Sequence, residues 1–224
     1  MANEAKINEI FESIQGEGPV VGYKQLFIRF CGCNLNCEYC DTGFEKGDIY
    51  TPQFLYEKIS NEYNLETFHS ISLTGGEPLL SYKFLKEFLP LLKGKTKIYL
   101  ETNATLADNF SKIRGYIDIV AADIKLPSST GVNVLDKNMA FIKMCIGIKT
   151  FAKIVFDENI TDEEIEFCTN IAKDTGIELI LQPKMNHAGM CVTSEFCKQI
   201  LNKCTSIYPN IRLVPQVHKF INVR

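Results

Sequence analysis

The sequence has no apolar stretch long enough to span a bilayer. Its opening residues, MANEAKINEI, also lack the basic segment and apolar run of a secretory leader. A cytoplasmic location and no membrane partner are therefore expected. Blocks of like charge are missing too. The 24 basic and 27 acidic residues are interspersed, leaving a formal charge of -3, which removes the electrostatic footprint of a phosphate-backbone binder. Nucleic acid is not an expected partner. There is no low-complexity segment, no interdomain linker and no repeat beyond an alternation of strands and helices. Residues 1–224 thus read as one domain, long enough to bury a full core. Finally, no second closely spaced cysteine pair follows the first cluster, as a four-ligand zinc site would usually require.

What the chain does have is cysteine density: four of its nine cysteines fall between residues 31 and 40. Cys33-x3-Cys37-x2-Cys40 puts three thiolates on one tight loop. Iron-sulfur cubes are normally held by four, so this loop would hold a 4Fe-4S cluster by three irons and leave one iron open to a ligand. Two other chemistries fit the same residues, a zinc site with Cys31 as fourth ligand and a disulfide pair. Against both, Cys31 ends an apolar strand-like run, and a cytosolic chain keeps its thiols reduced. Cys145, Cys168, Cys191, Cys197 and Cys204 show no tight pairing and read as core packing, the usual place of a free cysteine.

Hydrophobic periodicity predicts strands over residues 25–30, 70–74, 97–101, 117–122, 149–156 and 178–181. A helix is expected from Pro52, capped by Thr51, with Phe54, Leu55, Ile59 and Tyr63 on one face. A second follows Ser81 with Leu85, Phe88, Leu89 and Leu92 on one side. Thr161-x-x-Glu164 forms a capping box opening a third that ends near Gly176. A last helix covers residues 194–203, residues 126–136 read as a loop, and residues 212–218 as extended chain. Such alternation implies parallel pairing with right-handed crossovers, hence an α/β fold with a curved parallel sheet or partial barrel of six units. The polar and glycine-rich segments fall just after strands, at the C-terminal end of the sheet, where such folds place their chemistry. These are Cys31–Thr42, Gly75-Gly76-Glu77-Pro78, Thr102-Asn103, Asp123-Ile124-Lys125 and Gln182-Pro183-Lys184-Met185.

The cysteine spacing, with Tyr39 just before the third cysteine, resembles the radical S-adenosylmethionine superfamily, and GGEP is a recurring element there. In that superfamily the open iron is chelated by the amino and carboxylate groups of S-adenosylmethionine, and the reduced cluster splits the sulfonium to give a 5'-deoxyadenosyl radical. The superfamily fold is a partial (β/α)6 barrel. Three further runs resemble the 7-carboxy-7-deazaguanine synthase family within it: Glu12-Ser13-Ile14-Gln15-Gly16-Glu17-Gly18, Phe27-Ile28-Arg29, and the ending from Pro215 to Val223. That family converts 6-carboxy-5,6,7,8-tetrahydropterin to 7-carboxy-7-deazaguanine with loss of ammonia, on the route to queuosine and related deazapurines.

The resemblance implies a 4Fe-4S cluster on Cys33, Cys37 and Cys40. It implies S-adenosylmethionine contacts from Tyr39, Cys40, Asp41, Gly76, Asp123, Ile124, Lys125, Gln182, Pro183, Lys184 and Met185. Pterin contacts are implied for Ile14, Gln15, Gly16, Thr74 and Arg29, whose planar guanidinium fork suits a carboxylate. Thr42 would be the protein's ligand to Mg2+, an ion that keeps its waters and prefers substrate anions. The terminal carboxylate, here on Arg224, would also bind substrate. Expected partners are the small-molecule pterin, a flavodoxin-like electron donor and, in a homodimer, a second copy of the chain. Two other readings share the cysteine spacing: a glycyl-radical enzyme activase, which also shares Asp-Ile-Lys, and a non-catalytic iron-sulfur protein.

Overall fold

The computed structural model describes residues 3–37, 46–186 and 189–223. Strand β1 (Ala5–Ile14) folds back antiparallel on β2 (Lys24–Phe30), with Ile10 opposite Ile28 and Ile14 opposite Lys24. A short β3 (Asp48–Tyr50) pairs with the start of β1. Helix α1 (Pro52–Glu62) then leads to β4 (Ser70–Gly75), α2 (Tyr82–Phe88) to β5 (Lys97–Thr102), and α3 (Ala107–Ser111) to β6 (Ile119–Ile124). Two helices, α4 (Pro127–Thr130) and α5 (Leu135–Met144), precede β7 (Lys149–Phe156), and α6 (Asp162–Thr175) precedes β8 (Glu178–Pro183). A small ribbon, β9 (Met185–Asn186) and β10 (Gly189–Met190), is followed by α7 (Ser194–Ile207), β11 (Ile211–Leu213) and α8 (Val217–Phe220).

The described residues form one nine-stranded sheet in the order β11-β8-β7-β6-β5-β4-β2-β1-β3, parallel from β2 to β11. Each parallel step needs a crossover, which the intervening helices supply. The sheet does not close, so the expected partial barrel is an open one, extended at one edge by the antiparallel β1 and β3.

Local chemistry sets several boundaries. The Thr51 hydroxyl accepts from the Phe54 amide at 3.3 Å, and Pro52 occupies the first turn of α1. Leu55 and Ile59 are fully buried, but Phe54 is 57% exposed, so the apolar face of α1 is narrower than the pattern suggested. At α6 both halves of the capping box form: the Glu164 amide donates to Thr161 Oγ1 at 3.2 Å, and the Thr161 amide to Glu164 Oε2 at 3.0 Å. Gly176 ends that helix at φ 70°.

Three expectations are corrected. Residues 126–136 are not a loop, because α4 and the start of α5 lie there. Neither helix has a side-chain N-cap, so no capping signal announced them. The extended ending stops at Leu213, since Gln216 and Val217 accept amides from Lys219 and Ile221 and wind α8. Cys191 is exposed, whereas Cys145, Cys168, Cys197 and Cys204 are buried as core residues.

Strand alternation divides the buried side chains between the two faces. Leu26, Ile28, Ile71, Leu73, Leu100 and Ile154 belong to the large core packed under the helices. On the opposite, concave face a smaller cluster of Tyr99, Ile119, Ala121, Phe151 and Ile180 receives Val20 from the turn after β1 and fills the floor. No helix among the described residues is long and apolar enough to cross a membrane. Because the capping box of α6 satisfies two amides reciprocally, Thr161→Ala should cost about 1 kcal/mol. Urea unfolding should show the midpoint lowered with the slope unchanged.

Candidate active site

Above that apolar floor, the concave face turns polar toward the C-terminal ends of the strands. β2 brings Arg29, β4 Thr74, β5 Glu101, β6 Asp123, β7 Lys153 and β8 Gln182; in register, Arg29 lies beside Thr74 and Asp123 beside Lys153. The segment after β1 crosses this face. Gln15 is 3% exposed, and its amide donates to Glu101 Oε1 at 2.9 Å and Gln25 Oε1 at 3.0 Å while accepting from the Glu17 amide at 2.9 Å. The Thr74 hydroxyl donates to the other Glu101 oxygen at 2.5 Å.

A chain of ion pairs continues from there. Lys153 Nζ lies 2.5 Å from Glu17 and 3.3 Å from Asp123, which also holds Lys125 Nζ at 2.8 Å. Burial alone would push the Glu17 carboxyl up. Lys153, the Gln216 amide and His218 outweigh it and hold Glu17 at about 2. Burial would likewise lower Lys153, but Asp123 and Glu17 raise it well above the usual lysine range, so it remains an ammonium. Glu101 moves up, through burial and the nearby Glu17 charge.

The C-terminal helix closes one side. Gln216 Nε2 donates to Glu17 Oε1 at 2.7 Å, the Val217 amide donates to the Gly16 carbonyl at 2.9 Å, and the His218 ring packs on Gly16 so closely that a Cβ there would overlap it. Gly16 is therefore required by the chain's own packing.

The cysteine loop leaves β2 beside the turn after β4. The Gly76 amide donates to the Phe30 carbonyl at 3.0 Å and the Glu77 amide to the Gly32 carbonyl at 2.8 Å. Gly75 sits at φ 113°, and a Cβ on Gly76 would collide with the Gly32 carbonyl. The close backbone approach expected at this motif is thus made, in the first place, by the cysteine loop itself. Glu77 is fully buried and accepts from the Leu79 and Asn103 amides and the Thr102 hydroxyl. Burial outweighs those donors and lifts its carboxyl to about 7.

Of the residues singled out in the sequence, Gln15, Gly16, Arg29, Thr74, Asp123, Lys125 and Gln182 converge on this face. Arg29 pairs with Glu9 at 3.2 Å and lies over the Phe11 ring. Ile14 is 36% exposed at the end of β1. Ile124 is buried in the helix-side core, so a ligand contact from it would use its backbone. Pro183 is buried, Lys184 pairs with Asp157 at 2.9 Å, and Met185 starts the small ribbon. Tyr39, Cys40, Asp41, Thr42 and Arg224 lie outside the described residues. Glu17, Glu101, Lys153 and Gln216 were assigned no role from sequence. Glu101 and Lys153 did carry a signal, each being a charged residue that follows apolar residues within its strand.

Four buried polar atoms on this face have no hydrogen-bond partner among the described residues: Arg29 Nε, Ser72 Oγ, Asp123 Oδ1 and Gln182 Oε1. Buried polar groups are nearly always satisfied, so such a cluster marks a ligand site. The cysteine loop also suits an iron-sulfur cluster. Cys33 and Cys37 are half-buried, and Cys33 Sγ accepts from the Leu35 amide at 3.4 Å and from Asn103 Nδ2 at 3.7 Å, donors that favour a thiolate.

Residues 27–167 match the model of the Radical SAM superfamily. The chain is similar to the 7-carboxy-7-deazaguanine synthase of Geobacter sulfurreducens, 34% identical over 97% of this chain and 97% of the relative. It is equally similar to that of Archaeoglobus fulgidus, 34% identical over 98% and 99%. Among solved structures it shares its fold with QueE from Escherichia coli, with a TM-score of 0.66 at 21% identity over 96% of this chain and 95% of that one.

The ion-pair chain yields a pH-dependent test. Lys153→Met leaves Glu17 and Asp123 without their shared cation and should cost about 3–5 kcal/mol near neutrality. Glu17, depressed from 4.5 to about 2, contributes stability that is present above pH 4.5 and lost as pH falls through about 2. The raised Lys153 contributes fully below pH 10.5. Denaturant unfolding across pH should therefore show wild type and variant furthest apart between pH 4.5 and 10.5, converging on acidification.

Proposed function

The chain belongs to the 7-carboxy-7-deazaguanine synthase family of the radical S-adenosylmethionine superfamily, and on that premise we propose that it converts 6-carboxy-5,6,7,8-tetrahydropterin to 7-carboxy-7-deazaguanine with loss of ammonia. The observation that carries the reading is the concave face, where carboxylates, ammoniums and polar atoms without a partner among the described residues gather beside the cysteine loop. When bound, a 4Fe-4S cluster on Cys33, Cys37 and Cys40 with S-adenosylmethionine supplies the hydrogen-abstracting 5'-deoxyadenosyl radical.

The protein's own residues position the substrate. Arg29 carries a buried Nε that has no partner among the described residues, and it takes the pterin carboxylate. Glu101, held by Thr74 and Gln15, offers acceptors to the N–H edge of the pterin, whose donors offset the penalty that burial and Glu17 place on its charge. Lys153 stays protonated and keeps Glu17 ionised, so the latter is an acceptor throughout. Asp123 Oδ1 and Gln182 Oε1 are available to S-adenosylmethionine. Ile14 and Gly16 contribute backbone groups at the pterin edge, and Thr42 would be the residue that holds Mg2+, an ion that would neutralise substrate charge. The whole of residues 1–224 acts as a single radical S-adenosylmethionine domain. On the family resemblance, we further propose a cytoplasmic homodimer served by a flavodoxin-like donor, since splitting a sulfonium needs the low end of cluster potentials.

Reconstituted protein given S-adenosylmethionine, dithionite, Mg2+ and this pterin should yield 7-carboxy-7-deazaguanine by mass. Deuterium at substrate C6 should appear in 5'-deoxyadenosine. Cofactor cleavage without the deazaguanine would refute the substrate assignment and leave the superfamily. Arg29→Lys keeps the charge but loses the fork, and a misplacement of about 1 Å costs roughly a hundredfold, so turnover should fall on that order with cluster content unchanged. Thr42→Ala should lower the stimulation of turnover by Mg2+ while leaving the cluster spectrum intact; an unaltered dependence on the ion would remove Thr42 from the site.

A further inference from the structure

The turn after β5 holds a polar cluster that substrate binding does not use. Asn103 is 5% exposed and stands in a closed ring of three side chains. Its Nδ2 donates to Asn34 Oδ1 at 2.9 Å, Asn34 Nδ2 donates to Thr105 Oγ1 at 2.9 Å, and that hydroxyl donates back to Asn103 Oδ1 at 2.6 Å. The Thr105 amide, a donor and nothing else, also points at Asn103 Oδ1 at 3.2 Å, which fixes which end of the Asn103 amide is oxygen. Its nitrogen therefore faces Cys33 Sγ, 3.7 Å away.

The backbone of the same residue is held as firmly. The Asn103 amide donates to Glu77 Oε2 at 2.8 Å, and Asn138 Nδ2 from α5 donates to the Asn103 and Ala104 carbonyls at 2.8 and 3.1 Å, across a turn in which Ala104 sits at φ 55°. A turn alone explains the acceptor, because serine or aspartate could receive the Thr105 amide as well. It does not explain an amide nitrogen locked toward sulfur. A neutral thiol is a weak acceptor, whereas an iron-bound thiolate carries charge that such a donor stabilises.

We propose that Asn103 is a positioning residue for the iron-sulfur cluster, donating an N–H to the Cys33 thiolate from an orientation set by Asn34 and Thr105, and thereby raising the cluster's reduction potential. The inference rests on the reading that Cys33 ligates the cluster. Hydrogen bonds to cluster sulfurs are among the levers that set its potential, and reduction adds negative charge that the donor offsets.

The test is a redox titration of the reconstituted protein followed by electron paramagnetic resonance, without S-adenosylmethionine or pterin. Asn103→Ser keeps a neutral acceptor for the turn and removes the donor to sulfur. Its reduction equilibrium should shift about tenfold toward the oxidised form, or about 59 mV more negative for one electron. Thr105→Val leaves the amide present but unlocked and should give a smaller shift in the same direction. Asn109→Ala, on neighbouring α3, removes a hydrogen bond to the Leu79 carbonyl without touching sulfur, and should keep the wild-type potential. Wild-type potentials in both Asn103→Ser and Thr105→Val, at wild-type iron content, overturn the proposal. If Asn103→Ser does not hold a cluster, Thr105→Val decides by the same criterion. Wild-type protein that binds no iron overturns the underlying cluster reading itself.

Discussion

The ammonium of Lys153, placed between Glu17 and Asp123, is the constraint on which the concave face depends. It joins the segment after β1 to β6 and β7, and through Glu17 it reaches Gln216 near α8. Lys153 pairs with Glu17 and Asp123, Asp123 also holds Lys125, and Glu101 lies close by, in surroundings that penalise charge. Burial and the Glu17 charge move Glu101 up, while Lys153 and Gln216 hold Glu17 down. The apolar floor of Tyr99, Ile119, Phe151 and Ile180 keeps water from relaxing these interactions from below.

The Gly75-Gly76-Glu77-Pro78 turn gains its meaning from its neighbours. Two backbone hydrogen bonds prolong the pairing of β2 with β4 past the ends of both strands, into the cysteine loop. Glu77 then ties the same turn to Thr102 and Asn103 at the end of β5. One short motif thereby fixes the cysteine loop relative to two strands, which a cluster held by few ligands needs, because its environment must come from rigid backbone.

Elements whose cause is local were legible in the sequence. The capping box at Thr161, Pro52 after Thr51, and the apolar runs of β2, β4 and β7 all sit where short-range chemistry puts them. β1 was not assigned. Glu9 and Glu12 interrupt its apolar pattern, and its register against β2 shifts between Ile7 and Glu9, so period two is lost midway. α5 was missed because the residue before its first turn, Val134, offers no capping side chain. Within the site, the cysteines, Gly76 and Arg29 stood out by spacing or by type, whereas Glu17, Glu101 and Lys153 acquire their roles from one another. Lys153 and Glu17 are 136 residues apart, and no window along the chain brings them together.

The contact between Gln216 and Glu17 spans 199 residues. The entropy of closing so long a loop is among the last costs that folding meets, after the intervening βα units have formed. During synthesis the N-terminal cysteine loop and the strands around it precede α8 out of the ribosome by most of the chain. The concave face is consequently an open trough for most of the polypeptide's assembly, and it acquires its final wall at the end.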